Sequence, residues 1–343
     1  MKLRRVALLL SICFLLLGGS AGMASKPTKY QLLRKIVVGG EGSWDYAALD
    51  QSHRRLYVSH ETEVAILDID REEVVGRIPN LRGVHGIAPV PGLGKVFISE
   101  GKADSVAIFD TRTLSRLGEV KTGRVPDAVI YDPSTRRVFT SNGESADMTA
   151  IDAATGNVAG TIPVGGDPES TAVDGKGHVW VDLADKNEVV EVDSRKLTVK
   201  ERWPIAGCTV PKSIAIDVKN RRLFVGCRNQ VMAVVDAASG RVIEKLPIGD
   251  HVDATIFDPD TGMIFNSNGD GTVTVIHEDS ANRFHVVETI TTRRGAKTMA
   301  LDLITKRLFL PVAESPPLMD NPTGQKQSGS PVLATFVVLV FGR

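Results

Sequence analysis

The sequence predicts an all-β fold, a closed ring of seven four-stranded antiparallel blades: a seven-bladed β-propeller. Three observations predict it. One strand ending recurs seven times at near-constant spacing. Each copy carries short β-branched and aromatic runs bounded by turn residues. The last copy lacks a strand, and a spare segment near the start of the chain can supply it.

The recurrent endings are Leu49-Asp50, Val90-Pro91, Tyr131-Asp132, Val173-Asp174, Ile216-Asp217, Phe257-Asp258 and Leu301-Asp302, spaced by 41 to 44 residues. A turn and a second strand follow each, as in Arg55-Leu56-Tyr57-Val58-Ser59, Arg137-Val138-Phe139-Thr140-Ser141 and Arg222-Leu223-Phe224-Val225. Third strands close on an acid, from Val64 to Asp68 through Val231 to Asp236; in the sixth copy His277 takes that place. Fourth strands run to a Gly or Pro stop, as in Val158 to Gly165. Such runs of about five residues between turn formers are strand signals, and no stretch sustains a helical period.

The seventh copy has two strands, a long interruption, and a third strand over Thr335 to Phe341. Lys35-Ile36-Val37-Val38-Gly39-Gly40, ahead of the first copy, reads like the fourth-strand segment Thr161-Ile162-Pro163-Val164-Gly165-Gly166. The N-terminal strand is therefore expected to complete the last blade and leave no unpaired edge. Residues 25–343 then form one domain, with a long loop at 315–334 whose composition predicts mobility.

Leu56-Tyr57-Val58-Ser59, Val138-Phe139-Thr140-Ser141-Asn142 and Ala150-Ile151-Asp152-Ala153-Ala154-Thr155-Gly156 resemble the YVTN-type (YncE-like) β-propeller repeat family of exported proteins. The resemblance covers roughly residues 30–343. It implies seven blades and no agreed reaction, so it carries over no catalytic residue. Two local departures are Pro91 at the second anchor and His277 in the sixth copy.

Lys2, Arg4 and Arg5, an apolar run from Val6 to Leu17, and Gly22-Met23-Ala24 before Ser25 have the layout of a secretory signal peptide over residues 1–24. A periplasmic or secreted location is expected. Removing that segment takes three positive charges and no acid, so the balance of 41 basic and 41 acidic residues becomes a net of −3. No basic footprint for nucleic acid remains. No later segment is apolar enough to span a membrane, and a monomer is expected.

The face made by first-to-second and third-to-fourth connections is repetitive, and its aspartates read as turn residues accepting backbone N–H groups. The opposite face varies. Five residues before each anchor stand Asp45, Gly86 (beside His85), Asp127, Glu169, Lys212, Asp253 and Lys297, a charged ring at the channel mouth. Second-to-third loops add His60, Glu100, Asn142, Cys227 with Arg228, and Asn268. Such a ring suits a small polar ligand, an envelope partner protein or a divalent cation held by oxygens. Asn268-Gly269-Asp270-Gly271 lacks the helix of a phosphate loop and the acid spacing of an EF-hand, and reads as a tight turn.

In residues 25–343 no Gly-x-Ser-x-Gly, Cys-x-x-Cys-His or His-Glu-x-x-His set occurs. No cofactor is required by the sequence. The reading is therefore a binding or scaffold protein. A metal-dependent, lactonase-like hydrolase using the mouth carboxylates, or a redox-cofactor propeller using His60 and His85, are the alternatives. Cys208 and Cys227, the two cysteines outside residues 1–24, lie at connections of one face of the fifth blade, and export makes a disulfide between them the expected state.

Overall fold

The computed structural model describes residues 29–40, 42–314 and 335–343. The expected signal segment and the 315–334 loop lie outside them. The described residues form seven four-stranded antiparallel sheets arranged as a ring. Innermost strands run Trp44–Asp50, Val84–Val90, Pro126–Asp132, Pro168–Val173, Pro211–Asp217 and Val252–Asp258, with a two-residue seventh at Ala300–Leu301. No helix among the described residues is long and apolar enough to cross a membrane.

The core lies between blades. Tyr57, Phe97, Phe139, Trp180, Phe224, Phe265 and Phe309 occupy one column on the second strands, and all are buried. Each wedges against a neighbouring sheet, and burial of one such side chain contributes roughly 1.5–3 kcal/mol. Val and Ile above and below the column complete the contact, which is why these strands read as nearly continuous apolar runs.

Closure follows the sequence. Gln31–Val37 pairs antiparallel with Thr335–Gly342, with Ile36 opposite Val338, and becomes the outermost strand of the seventh blade. The N–H groups of Val38 and Gly39 both donate to the Phe336 carbonyl at 2.9 Å. Across the seam, Arg54 grips Asp302 through two bonds of 2.7 Å. Burial alone would raise the Asp302 carboxyl; Arg54 and Thr305 outweigh it and bring it down to about 2.

Turn chemistry also holds. Asp50, Asp132, Asp152, Asp193 and Asp236 each accept the N–H of a residue two or three positions on. Cys208 and Cys227 form a disulfide with Cα atoms 5.5 Å apart.

Two details depart from the sequence reading. In the second blade Val90, not Pro91, is the strand end opposite Lys95, the position that Asp50 holds opposite Arg55. A turn at Pro91–Leu93 closed by Gly94 in the left-handed conformation sets that one-residue offset. In the sixth blade the third and fourth strands extend to Thr272–Ser280 and Arg283–Thr291, longer than the six- or seven-residue fourth strands of the other blades.

Candidate ligand site

The mouth is built by a repeated irregularity. Six innermost strands shift register against their neighbours near the start, between Trp44/Ala47, Val84/Ile87, Pro126/Val129, Pro168/Thr171, Pro211/Ser213 and Val252/Ala254. A bulge re-aims the side chain it contains. Here that side chain is Asp45, His85, Asp127, Glu169, Lys212 or Asp253. Strain accompanies it: Val125 and Val210, just ahead of two of these strands, have φ of 53° and 50°. A β-branched residue in that region costs of order 1–3 kcal/mol. A side chain of the preceding blade holds each one, Asp104 accepting from Val125 N–H at 2.9 Å and Asn187 from Val210 N–H at 2.7 Å.

The re-registered second blade changes the ring. His85 is its member, not Gly86. A Cβ on Gly86 would stand 2.4 Å from the Asp127 carbonyl, so glycine there lets the second and third blades approach. One ionisable residue then comes from every blade.

Asp45, His85, Asp127, Glu169, Lys212, Arg228, Asp253 and Lys297 line one cavity of about 270 Å³, together with Tyr46. The pairing inside it is uneven. Lys212 is ion-paired with Glu169. Asp253 accepts from Arg228 at 2.9 Å and from Lys297 at 2.7 Å. On the other side, His85 Nδ1 lies 2.8 Å from Asp45 and 3.7 Å from Asp127. Asp127 Oδ1 is sealed from solvent and has no hydrogen-bond partner among the described residues.

The electrostatics follow. The Asp45 hydrogen bond raises His85 against the opposing effect of burial. Burial, then the Asp45 charge, pushes Asp127 well above the usual carboxylate range. Burial also raises Glu169, despite Lys212. For Lys297 burial works downward, and Asp253 outweighs it, leaving the ammonium raised. Tyr46 is raised well above its ordinary value by burial and by the acids around it.

The other four sequence candidates do not join this cavity. His60 is buried at the closing seam, stacked on Phe336 with ring centroids 4.3 Å apart. Glu100, also buried, accepts from Arg82 N–H at 3.0 Å and from Arg116 at 2.7 Å. Asn142 donates to Asp147 at 2.6 Å and Thr149 at 3.0 Å. Asn268 donates to the Asn266 carbonyl and Thr272, both at 3.1 Å. All four end second strands, one ladder position out from the channel, and there the side chain enters the space between strands and blades. Arg228, one residue further on, is long enough to reach back.

Sequence reasoning passed over two residues. Tyr46 gives no signal beyond adjacency to Asp45. Asp182 does: it occupies the place that Ser59, Ser99, Ser141 and Ser267 fill in sister blades. It is fully buried, accepts the Ser170 N–H at 2.7 Å, and burial pushes its carboxyl up to about 8.

No family model matches the sequence, and no curated protein matches it. A solved chain of Kuenenia stuttgartiensis hydrazine synthase is similar in structure, with a TM-score of 0.70 at 15% identity over 79% of this chain and 92% of that one. That likeness shows the fold alone.

Proposed function

We propose that this chain is an exported binding protein of the cell envelope, of the YVTN propeller type, whose channel mouth seats a small polar ligand. The observation that carries the reading is the unequal pairing of the ring. Glu169 and Asp253 already have cations, whereas Asp127 carries a sealed oxygen with no donor, beside Asp45 and His85. A buried acceptor without a partner costs about 1–3 kcal/mol, and a ligand N–H or cation in the cavity would recover it once the Asp127 side chain turns that oxygen toward it. The ligand chemistry is therefore an ammonium or other N–H donor at Asp45 and Asp127. Arg228 and Lys297 share the single carboxylate of Asp253, and that excess of positive charge suits an anionic group on the same molecule.

A metal-dependent hydrolase is the second reading. It is favoured by the ligand atoms of Asp45, His85 and Asp127 lying within 4.8 Å of one another. Those three residues would hold a divalent cation, which would polarise a carbonyl oxygen. A redox-cofactor reading loses support because His60 stacks on Phe336 at the seam, away from His85.

Thermal-shift screening of the exported chain separates these readings. The panel comprises amines, amino acids, divalent cations and sugar lactones. A ligand at 100 times its Kd stabilises by about 2.7 kcal/mol. The binding reading expects an amine or zwitterion to raise the midpoint in the wild type and Asp127→Asn to abolish that rise. The hydrolase reading expects a divalent cation to do so, with lactone turnover. A panel with no stabilising compound, or one whose effects survive Asp127→Asn, contradicts the mouth as the site.

A further inference from the structure

The sixth blade departs from its sisters at its outer hairpin. Elsewhere an acid such as Asp152 or Asp236 ends the third strand and caps the turn by accepting N–H groups. In the sixth blade His277 stands at that place and the strand continues to Ser280 before turning. The extension puts His277 directly opposite His285 in the ladder. Asp279, two residues beyond His277, lies in a register irregularity between Glu278 and Ser280 that turns its carboxylate toward the two imidazoles. Glu278 between them points to the other face, where Asn220 donates to it at 3.0 Å.

Both imidazoles converge on one carboxylate. His277 Nδ1 is 2.8 Å from Asp279 Oδ1, and His285 Nδ1 is 3.0 Å from Asp279 Oδ2. The rings are 5.6 Å apart and tilted by 56°. Arg283 Nε also donates to Asp279, at 3.2 Å, from a largely exposed side chain.

We infer that His277, Asp279 and His285 form a surface site for a borderline divalent transition-metal ion, of which zinc is the probe, separate from the channel mouth. Two imidazoles and one carboxylate are the donor types zinc takes in three-ligand sites with an open fourth position. Calcium and magnesium prefer all-oxygen shells and fit poorly here. In a tetrahedral site with metal–ligand bonds of about 2.0–2.2 Å, donors stand roughly 3.3 Å apart. The present nitrogen–oxygen separations are a few tenths of an ångström shorter, so an ion enters by spreading two exposed side chains. Each neutral histidine that now shares its Nδ1 proton with Asp279 would carry that proton on Nε2 instead, and no proton need leave the protein.

The test is calorimetric titration of the full exported chain with zinc after removal of metals by chelator, in excess magnesium. The wild type should take up zinc at this site. His285→Ala and Asp279→Asn should each weaken it at least about 10-fold, since loss of even an outer-shell partner has that effect. Their melting midpoints without metal should stay near the wild-type value, because the residues are solvent-accessible. His85→Ala in the mouth should leave this uptake intact. Absence of zinc uptake by the wild type overturns the inference. So does retention of full affinity by the His285→Ala, Asp279→Asn double variant, or loss of uptake in His85→Ala alone.

Discussion

Asp127 and Asp132 lie at opposite ends of one strand and have opposite chemistry. Asp132 accepts from Ser134 N–H at 2.9 Å, Thr135 at 2.8 Å and, across a blade, Ser194 at 2.6 Å. Burial works to raise its carboxyl, and these donors outweigh it and lower it. Asp127 has the burial without the donors and moves the other way. The contrast extends to the two faces. Turn-face aspartates recur because each blade needs its turn closed, and their oxygens are used up in doing so. Mouth carboxylates answer to no turn, and one of them is left with an oxygen to spare. Repetition marks structure here, and a buried carboxyl left without a donor marks the candidate site.

If that division is right, damage to repeat-derived features should cost stability and changes at the mouth should not. The largest effect is expected from deleting residues 25–39. The strand Thr335–Gly342 would lose its outer partner and the ring its seam with Arg54 and Asp302. Circular dichroism melting should show loss of the cooperative transition. A truncated protein that melts like the full chain contradicts closure by this strand.

Asp182 sharpens the comparison because it belongs to neither class. Its folded carboxyl is pushed up to about 8 from 3.8. A raised acid favours folding with its proton on. That contribution is complete below about pH 4 and lost as pH rises toward 8. Asp182→Ser, which restores the residue of four sister blades, should therefore be more stable than the wild type by at least about 2 kcal/mol near pH 9, and the gap should narrow toward pH 4. Denaturant titrations at the two pH values check it; a pH-independent difference refutes the shift.

The Cys208–Cys227 bridge should contribute about as much. It spans a sequence separation of 19, for which chain entropy suggests roughly 3 kcal/mol. Cys208→Ser with Cys227→Ser should lower stability by that order in denaturant melts, and reducing agent should then have no further effect. Smallest of all should be Asp127→Asn, within about 0.5 kcal/mol of wild type or slightly stabilising, since it removes a desolvated carboxyl that has no donor. A loss of several kcal/mol would make Asp127 structural.

Much of this was legible in the sequence for one reason: a blade cannot bury its faces alone, so each copy must repeat the same apolar column and turns. The Tyr57-to-Phe309 column and the closing strand follow from that, whereas the cysteine pair was legible from its place on one face of a single blade and from the expected export. Six of the eight candidates that line the cavity were legible because a fixed offset from the anchor means a fixed height in the channel; Arg228 came from a second-to-third loop and His85 as the neighbour of Gly86. The offset slipped at Gly86 because the Pro91–Leu93 turn hides where the second innermost strand ends. His60, Glu100, Asn142 and Asn268 were misplaced because a strand end does not reveal which way its side chain points. Side-chain direction depends on the bulges, and no residue type announces a bulge.

Carbon-13 carboxyl titration of protein labelled at aspartate, with Asp127→Asn and Asp132→Asn for assignment, tests the division between the two faces most directly. Asp132 should titrate below the ordinary value of about 4 and Asp127 well above it. Equal midpoints for the two, or an Asp127 that ionises in the ordinary range, would show that the mouth carboxylate is satisfied like a turn aspartate and would contradict the account.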